Sequence, residues 1–255
     1  MIGVFDSGLG GLGVVGHIRR LCPEADIVYL GDRARAPYGD RSLDDVLRYA
    51  EEITAHLMGL GAETIVLACN TASAAALHHL RDRHPSVAFV GMEPAVKPAA
   101  ALSKSGVIAV LATPATFQGE LFASVVDRFA GEARIVCRAC RGWVELVERG
   151  ATEGPEAESL VASHLQPVLA EGADVLVLAC THYPFLATTI GRLAGEAVTI
   201  IDPAEAVARQ TARLATARGK GDLEICVTGP TDGLADVVER LTGLDQPIRT
   251  VTLGP

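Results

Sequence analysis

GAETIVLAC at residues 61–69 and GADVLVLAC at residues 172–180 match position for position at a constant offset of 111 residues. Each opens on a glycine (Gly61, Gly172), passes an acidic residue (Glu63, Asp174) and runs through a short apolar stretch into Ala-Cys. Aliphatic runs of this length suit parallel strands buried on both faces. Polar residues follow each cysteine at once: Asn70, Thr71 and Ser73 in one copy, Thr181, His182 and Tyr183 in the other. A fainter echo relates IGVFDS at 2–7 to IAVLAT at 108–113. Two strands repeated with similar chemistry at their ends predict two similar lobes. In open α/β sheets, ligands bind outside the carboxyl ends of the strands, where both cysteines fall.

Further strands are predicted at 2–5, 27–30, 64–68, 87–90, 107–111, 134–137, 175–179, 198–201 and 224–228. Helical patterns lie between them. SLDD places Asp45 three residues after a capping Ser42 and predicts a helix over 42–58. Asp202-Pro203-Ala204-Glu205 reads as a capping Asp followed by Pro at the first helical position. Alternation of strand and helix predicts an α/β fold: two pseudo-symmetric lobes with central parallel sheets flanked by helices, and a site in the crevice between them. The boundary falls near Pro94–Pro98. One lobe is expected to take residues 1–96 and 203–255, the other 97–202.

Composition narrows the function classes. Among 255 residues, 49% are hydrophobic and 21% charged, which is too apolar for a disordered chain. The net charge is −9, with no Lys/Arg cluster to form a phosphate-neutralising stripe, so nucleic acid is not the expected partner. The longest uncharged runs, 64–80 and 175–191, are too short and polar to span a membrane. IGVFDSGLGG has no basic region ahead of it, so no signal peptide is expected. Six cysteines are too few for a disulfide scaffold, and a cytoplasmic, thiol-reducing setting is expected.

An isolated cysteine is most often a small buried apolar residue. Here the repeat and the polar residues behind each cysteine favour chemistry. Two thiols on similar lobes facing one crevice suit an acid/base pair, one removing a proton and the other supplying one from the opposite side. A first thiolate discourages a second, so such a pair titrates in separated steps. A redox pair between the lobes is the competing reading, although neither cysteine has CxxC spacing around it. Cys137 and Cys140 do, but without a second ligand pair they are not read as a metal site. His78, His79 and His84 read as a solvated helix face. Ala75 stands six residues after Cys69, where a phosphatase loop would need Arg.

The residues from Gly8 to Gly13 spell GxGxxG after a strand, and Asp32 ends the next strand. That imitates a dinucleotide fingerprint and keeps a dinucleotide-binding oxidoreductase as an alternative. It leaves both cysteine motifs unexplained. Asp6 is equally readable as a cap for the next helix. In DRARAPYG at 32–39, Pro37 and Gly39 predict a turn that presents Tyr38.

DSGLGG at Asp6, PYG at Pro37, CNTAS at Cys69 and CTHYP at Cys180 together resemble the glutamate racemase family of the aspartate/glutamate racemase superfamily. The resemblance spans most of the chain. It implies cofactor-independent interconversion of L- and D-glutamate for peptidoglycan, with no metal and with a homodimer left open. It also implies that Cys69 and Cys180 are the acid/base thiols, Cys69 serving the D-enantiomer and Cys180 the L-enantiomer. By the same analogy Asp6 and His182 assist the nearer thiol. Asp6, Ser7, Tyr38, Gly39, Asn70, Thr71, Thr181 and His182 hold the substrate, with Thr113, Thr116 and Glu148 as further candidates. Gly119 and Phe122 stand where the family commonly has Ser and Tyr, and Arg141 and Glu145 where it has prolines. A racemase for aspartate or another amino acid is the nearest alternative.

Overall fold

The computed structural model describes residues 1–216 and 219–254. Among the described residues, ten strands carry the fold: β1 (Ile2–Asp6), β2 (Ile27–Gly31), β3 (Thr64–Leu67), β4 (Ala88–Gly91), β5 (Val107–Ala112), β6 (Arg134–Ala139), β7 (Val175–Ala179), β8 (Thr199–Ile201), β9 (Leu223–Val227) and β10 (Ile248–Thr250). The helices are α1 (Leu12–Leu21), α2 (Leu43–Gly59), α3 (Asn70–Arg83), α4 (Val96–Leu102), α5 (Pro114–Gln118), α6 (Glu120–Phe129), α7 (Trp143–Glu148), α8 (Pro155–Ala170), α9 (Ala187–Ala194), α10 (Ala204–Leu214) and α11 (Leu234–Thr242). Strands β10-β9-β2-β1-β3-β4 form one sheet and β6-β5-β7-β8 a second, all paired in parallel.

The repeat extends to strand register. Ile2 faces Thr64 and Thr64 faces Ala88 in the first sheet. Ile108 faces Val175 and Val175 faces Thr199 in the second, the same pairing shifted along the chain. Gly61 and Gly172 both turn into their strands with φ near +90° (92° and 90°), a conformation that favours glycine. The first copy is extended at one edge by β9 and β10. That edge was not anticipated beyond β9, because three residues containing an Arg carry too little apolar pattern to read as a strand.

Successive strand residues point to opposite faces, and both faces are covered. In the first sheet Ile2, Val4, Ile27, Tyr29 and Val66 pack towards α1, α10 and α11, while Phe5, Val28, Leu30, Ile65 and Leu67 pack towards α2 and α3. The second sheet divides in the same way, Ala109, Leu111 and Leu176 on one side and Ile108, Val110 and Val175 on the other. This is why the strands read as unbroken aliphatic runs. Full burial of each large apolar side chain contributes about 1.5–3 kcal/mol.

The chain passes from sheet to sheet twice. Val96 and Ala99 of α4 already belong to the second sheet's core, and Ala204, Val207 and Ala208 of α10 belong to the first. The cap predicted at Ser42 holds, whereas Asp202 stands one residue ahead of the N-cap of α10. Ser42 Oγ accepts the Asp45 N–H at 3.1 Å and caps α2. Asp202 Oδ1 accepts the Ala204 N–H at 2.9 Å, but α10 begins at Ala204, one residue later than the Pro-first reading. Among the described residues, no helix is long and apolar enough to cross a membrane.

Candidate active site

The carboxyl ends of β1, β3, β5 and β7 meet at one cleft of about 280 Å³. Ten predicted residues line it: Ser7, Tyr38, Gly39, Cys69, Asn70, Thr71, Thr113, Cys180, Thr181 and His182. The repeat therefore brings both cysteines to a shared space, Cys69 5% and Cys180 7% exposed. Asp6, Thr116 and Glu148 stand behind this lining. Asp6 is tied into the loop and the facing CTH segment at the floor of the cleft. Its side chain is fully buried, with Oδ2 accepting the Gly8 and Gly11 N–H groups at 3.2 and 3.1 Å and Oδ1 accepting the Thr181 hydroxyl at 3.1 Å.

Cys69 sits at the N-cap of α3, its Sγ accepting the Ala72 N–H at 3.5 Å and lying 3.9 Å from Ser7 Oγ. A helix N-terminus ordinarily lowers a thiol's pKa. Here burial and then the Asp6 carboxylate prevail over the Ala72 amide, so the Cys69 thiol is pushed well up and holds its proton. The neighbouring Cys180 acts in the same direction.

Cys180 has different company. Its Sγ lies 3.9 Å from His182 Nδ1, and His182 Nε2 lies 2.7 Å from Glu148 Oε1. Burial alone would lower the imidazole's pKa, but the bonds to Cys180 and Glu148 and the field of Asp6 outweigh it and raise it well above the usual value. Burial would likewise raise Glu148, yet the bonds from His182, the Leu9 N–H and Arg33 leave it below the usual carboxylate range. The two directions agree on an imidazolium–carboxylate pair behind Cys180.

Two features point to a polar ligand. Asn70 is 3% exposed, and neither its Oδ1 nor its Nδ2 meets a hydrogen-bond partner from the protein. A buried amide of this kind is costly unless something pairs with it. Thr71, Thr113 and Thr116 form a triangle of hydroxyls 2.9–3.2 Å apart that joins α3 to the β5–α5 turn.

The glycines after β1 serve close approach. A Cβ on Gly8 would lie 2.1 Å from Glu148 Oε1, and one on Gly10 would lie 2.5 Å from His182 Nδ1 and 2.6 Å from Thr181 Oγ1. The loop amides are also committed, Gly8 and Gly11 to Asp6 and Leu9 to Glu148 Oε1 at 2.6 Å. A phosphate-binding turn would direct those amides at its ligand. The dinucleotide reading of this motif is thereby corrected: its glycines seat the second lobe's CTH segment. Asp32 anchors the Tyr38 hydroxyl instead of a ribose.

Sequence reasoning missed Val144, which lines the cleft from α7, and Arg33, whose Nε lies 3.1 Å from Glu148 Oε2. Nothing in DRARAPYG distinguishes which arginine turns to the other lobe; Arg35 turns back to Asp32. Of the CxxC pair, Cys137 is exposed and Cys140 buried. His78 and His79 are exposed, His84 half-buried against Phe89. Among the described residues, no three His, Cys, Asp or Glu side chains are placed to hold a metal ion.

Residues 12–211 match the family model described as Asp/Glu/Hydantoin racemase. The chain is 46% identical over 229 residues, 90% of its length and 85% of the relative's, to a glutamate racemase of Ectopseudomonas mendocina (strain ymp). It superposes on the Escherichia coli glutamate racemase in complex with L-glutamate and the activator UDP-MurNAc-ala, with a TM-score of 0.88, 30% identity, and 100% and 98% of the two chains covered. The glutamate racemase of Francisella tularensis subsp. tularensis SCHU S4 in complex with D-glutamate gives a TM-score of 0.85 at 27% identity, covering 99% and 97% of the two chains. The duplicated strands, the paired cysteines and these matches converge: the chain belongs to the Asp/Glu/Hydantoin racemase family, and within it to the glutamate racemases.

Proposed function

We propose that this enzyme interconverts L- and D-glutamate by two-thiol proton transfer at the α-carbon, without a cofactor, and supplies D-glutamate for peptidoglycan in the cytoplasm. The observation that carries the mechanism is the placement of Cys69 and Cys180 at equivalent strand ends on opposite sides of one cleft. One thiolate takes the α-proton: the C–H bond breaks, an S–H bond forms, and its electron pair stays on carbon. The facing thiol then delivers its proton to the other side, which inverts the centre and leaves the two sulfurs with exchanged protonation. Burial and Asp6 favour Cys69 as the thiol, hence as the first donor. His182, held by Glu148, is a proton reserve beside Cys180. Proton transfer typically contributes about 10²–10⁴-fold, so orientation and stabilisation of the carbanion must supply the rest. Asn70, Thr71 and Ser7 are suited to the substrate's carboxylates, and Tyr38 and Gly39 close the cleft from the first lobe. We assign residues 1–96 and 203–255 to one lobe and 97–202 to the other, with Val96 at the crossover already packing on the second sheet.

The test is direct. L-glutamate incubated with enzyme and a chelator loses its optical rotation towards zero, and L-aspartate in parallel does not. Strict dependence on NAD, pyridoxal phosphate or a metal would overturn the reading, and faster racemisation of aspartate would replace the substrate.

A further inference from the structure

Glu148 is held by three groups, two of them from the opposite lobe. Its Oε1 is shared by the Leu9 N–H at 2.6 Å and His182 Nε2 at 2.7 Å, which leaves Oε2 to Arg33 Nε at 3.1 Å. Arg33 is itself pinned, because its Nη1 donates to the Pro230 carbonyl at 2.9 Å. The short 3-10 turn that carries it, Arg33–Arg35, is tied down as well. The Ala34 N–H donates to Thr228 Oγ1 at 3.0 Å, and the Thr228 hydroxyl donates to Asp32 Oδ1 at 2.7 Å. Arg33 thus reaches Glu148 from a braced loop, with its side chain 23% exposed and Glu148's 16%.

We propose that Arg33 is a positioning residue for proton transfer at Cys180: it holds Glu148 by Oε2 across the cleft and so keeps His182 aimed at the thiol. The inference rests on the racemase reading above. A carboxylate fastened only through Oε1 is free to rotate about its last bond, and the imidazole it orients loosens with it. Charge-assisted hydrogen bonds to both oxygens remove that freedom. Arg33 also supplies positive charge that keeps Glu148 ionised, and ionised Glu148 sustains the imidazolium. The other groups around the pair are accounted for. Asp6 and Cys180 act on His182, and Tyr29 is a neutral phenol whose ionisation both Asp6 and Glu148 oppose. Arg240 of α11 lies against Gly150, and Arg149 turns away to Glu156.

Arg33→Gln and Arg33→Lys, compared with the unaltered enzyme, test the proposal by two readouts. The first is a ¹³C-carboxyl titration of Glu148, identified by its loss in Glu148→Gln; it needs no turnover. Removing the positive charge disfavours the carboxylate, so the Glu148 midpoint moves to higher pH in Arg33→Gln and returns towards its original place in Arg33→Lys. The second is the pH profile of kcat/KM. Its acid limb moves up with the carboxyl midpoint, and the plateau falls about tenfold. Enantiomers are equal in energy, so kcat/KM falls equally in both directions.

An unmoved Glu148 midpoint in Arg33→Gln overturns the proposal whatever happens to the rate, since Arg33 would then merely brace the loop at Pro230. A shift that Arg33→Lys fails to reverse overturns it too. Absence of racemisation by the unaltered enzyme would instead sink the racemase reading, while the carboxyl titration still judges the Arg33–Glu148 link.

Discussion

Cys69 and Cys180 close equivalent strands yet keep different neighbours. Cys69 faces a serine hydroxyl and the field of a buried aspartate, whereas Cys180 faces an imidazolium backed by a carboxylate. The two thiols therefore sit in different surroundings, and the two ought to be separable by substitution. Replacing either with Ala abolishes racemisation, because each turnover needs one base and one acid. One cysteine of the pair remains in each variant, on one face of the substrate, and acts through its thiolate form. In deuterated water it removes the α-proton of one enantiomer, exchanges with solvent and returns deuterium from the same side. Cys180→Ala is expected to label only D-glutamate and Cys69→Ala only L-glutamate, as read by mass spectrometry of the recovered substrate. A variant that labels both enantiomers, or that still racemises near the original rate, shows that one base is enough.

At the scale of the element, the loop from β1 into α1 and the helix that follows carry glycines of opposite consequence. Gly10 is walled in by His182 and Thr181, and a Cβ there would also lie 2.8 Å from the His182 backbone nitrogen. Gly10→Ala forces the CTH segment away from the loop, with an expected cost of about 1–3 kcal/mol. Activity falls with it, because His182 moves. Gly16, inside α1, has open space where its Cβ would stand. There Ala restricts the unfolded chain without a clash, and Gly16→Ala is expected to stabilise by about 0.5–1 kcal/mol. Thermal melts distinguish the two, Tm falling in the first and rising by about 1–4 °C in the second. A Tm for Gly10→Ala equal to the original would mean that the two lobes do not press together at this loop.

Over the whole molecule, the site exists only where two sheets face each other, so one bound substrate shields both thiols. Cys137 is exposed, while Cys69 and Cys180 are buried in the cleft. Glutamate is expected to slow alkylation of Cys69 and Cys180 together and to leave Cys137 unaffected, as mapped by peptide mass spectrometry. The pH dependence has a definite sign. Burial and Asp6 keep Cys69 protonated, so its alkylation continues to rise with pH beyond the ordinary thiol pKa of about 8.5. Protection of one cysteine without the other would place the two in separate sites. The exposed Asp40–Arg141 pair also joins the lobes, at the mouth of the cleft. Exposed pairs of this kind contribute about 0–1 kcal/mol, so this one adds little to holding the lobes together.

The sequence by itself determined the alternation of buried strands and helices, the duplication and the two cysteines at strand ends. Those properties are local: aliphatic runs, caps such as Ser42 and repeated spacing are written in neighbouring residues. Only the tertiary structure decided that Asp6 accepts the Thr181 hydroxyl of the facing segment, that Gly8 and Gly10 seat side chains of the other lobe, and that Arg33 and not Arg35 reaches Glu148. Each of these joins residues more than a hundred positions apart, or depends on which way one side chain rotates among near-equal neighbours. No periodicity encodes such a contact. It is fixed when the two sheets close on one another and every buried charge must find its partner.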